Sequence, residues 1–155
     1  MLRFAAAFAA ALALAAAAHA EDPRAAAVSA AMPVVDGYEK AMDDIVDVSG
    51  DPEALTVVRF YSGPAGMLQV QVRVWAPTET EAEAVLMTDP ATLTSTNGEA
   101  VEIAGHPAAI VNDVLLIYPG RPSSGITLTL GGTKDRAVLK AVGEKVNYDA
   151  LLAIK

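Results

Sequence analysis

The sequence predicts a single α+β domain: an antiparallel sheet of about six strands, made of a hairpin followed by a meander, with helices packed on one face. Three observations lead there. Residues 55–75 alternate apolar and polar side chains on both sides of a glycine-containing turn, residues 101–130 hold four more short strand-like runs at close spacing, and helix-periodic segments with capping residues stand at both ends. Most of the connections are too short for the crossovers of a parallel βαβ architecture.

The elements follow in chain order. Met1-Leu2-Arg3, an apolar run over 4–18 and Ala18-His19-Ala20 have the three-part organisation of a secretory signal peptide, with cleavage expected after Ala20. Those fifteen apolar residues fall short of the roughly 20 that cross a bilayer, so no stable membrane insertion is expected after cleavage. No twin arginine and no cysteine accompany the cleavage site. The expected address is periplasmic or secreted, with residues 21–155 forming one domain.

Asp22 and Pro23 open a first helix as N-cap and first helical residue, and Pro33 stops it. Val34, Tyr38, Met42, Ile45 and Val46 can share a helical face, which predicts a second helix over 34–48 in spite of Gly37. A five-residue loop over 62–66 pairs Tyr61 with Met67 and sets Phe60, Val58 and Thr56 opposite Leu68, Val70 and Val72 as a core face. Arg59, Gln69, Gln71 and Arg73 then occupy the other face. Thr78 and Glu81 form a capping box for a short helix with Ala82, Val85 and Leu86 inward, and 92–98 reads as a polar connection.

The meander comes next. Strands at 101–103 and 108–111 join through Gly105-His106, Asn112-Asp113 turns into 114–118, and 126–130 alternates cleanly. Ile103, Ala108, Ile110, Leu115 and Ile117 share one face in these registers. Thr133 caps a closing helix that turns Val138, Leu139 and Val142 inward, and Asn147 caps a last turn carrying Leu151 and Ile154.

Composition narrows the function. After cleavage ten Lys/Arg face nineteen Asp/Glu, a net charge of −9, which disfavours nucleic acid and anionic membrane surfaces as partners. The absence of cysteine removes disulfides, thiolate catalysis and thiol-ligated metals. His106 is then the one remaining histidine, so a His-pair metal site within one chain is excluded. It could serve as a general base or a surface metal ligand, but its position in a turn is the favoured explanation. Asp43, Asp44, Asp47 and Asp51 lack the spacing of a calcium loop. Ser123 and Ser124 beside Arg121 fall in no nucleophile motif, though the proline-stiffened loop 119–125 suits binding. No cofactor is expected.

The loop Ser62-Gly63-Pro64-Ala65-Gly66 resembles, over two or three residues, the Ser-Gly loops that periplasmic lysozyme inhibitors insert into an enzyme cleft. The tyrosine and lysine signatures of those families are absent around it, and no family residue carries over. On these grounds the expected function is that of a non-catalytic exported binding or interaction domain. Its partner would be a periplasmic or extracellular protein. The alternatives are a carrier of an apolar small ligand, an enzyme inhibitor and, third, a hydrolase or metal enzyme. The candidate contact residues are Arg59, Tyr61, Arg73 and Trp75, read as one outer face of the hairpin, with Arg121 in the loop. The competing reading of that face is a second core under an N-terminal helix.

Overall fold

The structure, a computed structural model, describes residues 22–48, 54–64, 66–120 and 124–154. The segment 1–20 expected as a signal peptide lies outside them, as do Asp51, Ala65, Arg121 and Ser123. Among the described residues no helix is long and apolar enough to cross a membrane.

The α+β class is observed. Helix α1 (Pro23–Ala31) precedes two short strands, β1 (Glu39–Lys40) and β2 (Ile45–Asp47), and the long hairpin β3 (Leu55–Gly63) and β4 (Gly66–Val74). Helices α2 (Pro77–Thr88) and α3 (Pro90–Ser95) lead to the meander β5 (Glu99–Ile103), β6 (His106–Val111), β7 (Val114–Ile117) and β8 (Ile126–Gly131). Helices α4 (Arg136–Gly143) and α5 (Tyr148–Leu152) close the described chain. The sheet runs β1-β3-β4-β8-β7-β6-β5, with β2 also on β3, and every pairing is antiparallel.

The six longer strands are those the sequence predicts, and the two short ones replace the helix expected over 34–48. Gly37 there adopts a left-handed φ of 78°, and aspartate favours turns over helix interiors. Ile45 points outward while Val46 packs on the core, a period of two rather than 3.6.

The hairpin register is the main correction. Gly63 pairs with Gly66 and Ser62 with Met67, so the turn is two residues long and β3 slides by one. A one-residue slip reverses every side chain of a strand. On β4 the expected Leu68, Val70 and Val72 are buried, but β3 buries Leu55, Val57 and Tyr61 and turns Val58 and Phe60 to the other face, opposite Gln71 and Gln69. Arg59 therefore lies on the core side.

The meander agrees with the alternation: Ile103, Ala108, Ile110, Leu115 and Ile117 are all buried. Its first turn is centred on Ala104-Gly105, one residue earlier than expected, with φ of 51° and 79°. Those paired positive values make a type I′ turn, whose twist suits a hairpin.

Helices α1, α4 and α5 gather on the face that carries Leu55, Val72, Leu128 and Ile117, and bury Val28, Leu139, Val142 and Leu151 there. Asp22 caps α1 through a 2.8 Å bond from the Arg24 N–H. Asp135 caps α4 where Thr133 is expected, and Asn147 caps α5 as expected. A Cβ on Gly143 would stand 3.0 Å from both Ile103 and Ile117, so glycine lets α4 approach the sheet closely.

Helix α2 sits over the opposite face, against β6 and β8. It starts at Pro77 without a side-chain cap, and Thr80 and Ala84 face the sheet while Ala82, Val85 and Leu86 are exposed. The expected inward face is thus rotated. The first part of the connection expected over 92–98 instead belongs to α3, which Asp89 caps by accepting from the Thr92 N–H at 2.9 Å.

Candidate functional site

The four hairpin residues read together from the sequence fall on opposite faces of the sheet. Arg59 and Tyr61 look towards α1. The Arg59 Nε and Nη2 grip Asp44 at 2.8 and 2.6 Å, and Nη2 also donates to the Ser29 carbonyl at 2.9 Å. The Tyr61 hydroxyl donates to the Pro33 carbonyl at 2.7 Å, and the side chain is buried. These two residues fasten the N-terminal segment to β3, and the reading of them as an outer surface is corrected by the one-residue register shift.

Burial alone would raise the Asp44 carboxyl, but hydrogen bonds from Arg59, Ser29 and Lys40 outweigh it and hold the group at about 2. An unfolded aspartate titrates near 3.9, so this pair contributes roughly 2–3 kcal/mol above that pH, lost as pH falls through the folded value. Urea midpoints are expected to decline between about pH 4 and pH 2 in the wild type, and this part of the decline should vanish in Asp44→Asn.

Arg73 and Trp75 occupy the outer face, beside residues the sequence reading left out. The Arg73 guanidinium carbon lies 4.3 Å from the centre of the Trp75 ring, a cation–π contact. The Trp75 N–H of the backbone donates to the Gly125 carbonyl at 2.8 Å, which continues the β4–β8 ladder past its last strand residue. Glu83 of α2 reaches Arg73 Nη1 at 3.8 Å and accepts from the Tyr118 hydroxyl at 3.4 Å. Both distances exceed the roughly 2.7–2.9 Å of a well-formed charge-assisted bond. Burial, reinforced by the Glu83 carboxylate, pushes the Tyr118 hydroxyl up, so it remains a donor.

Thr127 stands directly across the β4–β8 pair from Arg73 and is 1% exposed. Its Oγ1 and the indole Nε1 of Trp75 are buried without a hydrogen-bond partner among the described residues. A buried polar group left unpaired costs about 1–3 kcal/mol. Two of them beside a loosely held arginine make this the least satisfied polar region described. Strand alternation carried the signal for Thr127 and Tyr118, since each has the parity opposite to the core residues Leu128 and Ile117. Nothing in the sequence placed Glu83 there, because that depends on the rotation of α2.

The other candidates are placed as follows. Nδ1 of His106 accepts from the Gly120 N–H at 3.0 Å, and its ring packs 4.3 Å from Tyr148. Asp44 is held by Arg59 and Lys40, while Asp43 is fully exposed. Among the described residues no three His, Asp or Glu side chains come together as a metal site. At the hairpin tip Tyr38 packs flat against Gly63, where a Cβ would strike its ring.

No family model matches the chain, and neither does any curated protein or solved structure.

Proposed function

We propose that this protein is an exported, non-catalytic binding domain whose contact surface is the outer sheet face around Arg73 and Trp75. The observation that carries the reading is the stacked arginine–tryptophan pair on a sheet face that α2 covers only in part. Half-buried Val58 and Phe60 and the amides of Gln69 and Gln71 extend that face across β3 and β4, and exposed Val85 and Leu86 rise beside it on α2. A planar guanidinium against an indole offers contact area and directed donors at little cost in rotamer entropy. Arg59 and Tyr61 support this surface from behind rather than lining it.

The carrier reading has less behind it. The apolar cleft between Val35, Tyr38, Val138 and Val142 measures about 180 Å³ and the one between Pro23, Ala27, Ala150, Ala153 and Ile154 about 300 Å³, below and at the floor of the roughly 300–1,000 Å³ of small-molecule sites. The export part of the proposal expects the protein recovered outside the cytoplasm to begin at Glu21, which its intact mass reads directly.

Trp75→Ala tests the surface. Truncating a central aromatic costs about 2 kcal/mol or more, roughly thirtyfold in affinity. Capture of a periplasmic partner by the immobilised variant should fall by that factor while its thermal midpoint stays within a few degrees of wild type. Equal capture by both proteins, or a variant that does not fold, would sink the reading.

A further inference from the structure

We propose that the polar cluster formed by Arg73, Trp75, Glu83, Tyr118 and Thr127 is a binding site for a carboxylate, and that Glu83 occupies it as an internal substitute in the free protein. The inference rests on the surface reading above and names its ligand class. Arg73 is held on one side by the Trp75 ring at 4.3 Å, which leaves the edge of its guanidinium to face a planar anion. The present occupant fits poorly. From its place on α2, Glu83 stands 3.8 Å from Arg73 with one carboxylate oxygen and 3.4 Å from the Tyr118 hydroxyl with the other, close to neither.

A second observation points to a ligand independently. Thr127 is 1% exposed and lies across from Arg73, yet its hydroxyl has no partner among the described residues, and neither has the Trp75 indole N–H. Arg73 and the indole N–H can only donate, the Tyr118 and Thr127 hydroxyls can donate or accept, and Glu83 is the one member of the cluster that only accepts. That asymmetry calls for a second acceptor with several lone pairs, and a carboxylate supplies them. A cation would meet Arg73, and an uncharged apolar group would leave the donors unpaired.

Two sources share this chemistry: a free small organic acid, and the C-terminal carboxylate of a peptide. The sole tryptophan of the chain is Trp75, so its fluorescence reports the site directly. The full-length exported protein would be titrated with acetate, N-acetyl-leucine, N-acetyl-leucinamide and the tripeptide Ala-Ala-Leu with a free carboxylate. Affinities for the small acids in the roughly millimolar range are expected from their size, and none for the amide. Tighter binding of the tripeptide than of acetate assigns a peptide terminus, and the reverse order assigns a free acid. Glu83→Gln keeps the shape of the substitute but removes the like charge it holds against an incoming carboxylate, so binding of the acids should tighten about tenfold. Arg73→Lys keeps the charge but loses the fork and should weaken it. Thr127→Val should weaken binding while raising the thermal midpoint, since it removes an unpaired group, a combination that a purely structural threonine would not produce.

Equal binding of N-acetyl-leucine and its amide would overturn the carboxylate assignment and leave the apolar surface reading standing. Absence of acid binding in Glu83→Gln, or unchanged affinity on its introduction, would overturn the substitution by Glu83. Circular dichroism of each variant separates these outcomes from loss of fold.

Discussion

Asp44→Ala is expected to lower folding stability by about 3–5 kcal/mol, and the thermal midpoint by roughly 10–20 °C for a domain of this size. Arg59 is fixed on the core side of β3 by its neighbours in the strand, with its side chain 14% exposed. Removing the carboxylate leaves that cation with the Ser29 carbonyl and the Tyr61 hydroxyl, both neutral, and with the like charge of Lys40 nearby. The loss is therefore mostly the cost of an unpaired buried charge rather than the worth of the pair. The double variant Asp44→Ala, Arg59→Met should recover most of it, because an apolar side chain of similar length fills the same space. A single-variant cost under about 1 kcal/mol would show that the pair behaves as an exposed one.

The same ion pair explains where sequence reasoning stopped. Alternation in β4 and through the meander was legible because each strand has apolar residues on one parity and polar ones on the other, so Leu68, Val70, Leu115 and Ile117 could be assigned to the core without a structure. Strand β3 has apolar residues on both parities: Leu55, Val57 and Tyr61 on one, Val58 and Phe60 on the other. The arginine at position 59 tips a pattern-based reading towards the wrong parity. What reverses it is Asp44, fifteen residues earlier, which neutralises the charge on the core side. A contact of that separation leaves no periodic trace in the sequence. The candidate site suffered in proportion, since Arg59 and Tyr61 were grouped with Arg73 and Trp75 through the same register. Arg73 and Trp75 remained together because they share a parity on one strand. Their partner Glu83 depends on how α2 is rotated, and α2 carries alanines, valine and leucine around most of its circumference, so no stripe declares its buried side.

Leu128→Ala is expected to cost about 2–5 kcal/mol, and Phe60→Ala no more than about 1 kcal/mol, in urea unfolding of the two variants. Leu128 lies on β8 between Val72 of β4 and Ile117 of β7, at the middle of the sheet and fully buried. Rigid strands on both sides and α4 above limit how far the site can collapse, so most of the volume of the lost side chain should persist as a cavity. Phe60 is larger, and in the register the alternation first suggests it would be a core residue whose truncation costs about 3–5 kcal/mol. In the observed register it stands opposite Gln69 on the outer face, half-buried beyond the reach of the helices. Its ring loses contact with little more than the neighbouring side chains of the sheet, and water fills the space. The order of the two costs therefore reports which face of β3 meets the core. Equal losses for Phe60→Ala and Leu128→Ala would return Phe60 to the core and Arg59 to the outside, and would undo the separation of Arg59 and Tyr61 from the site at Arg73 and Trp75.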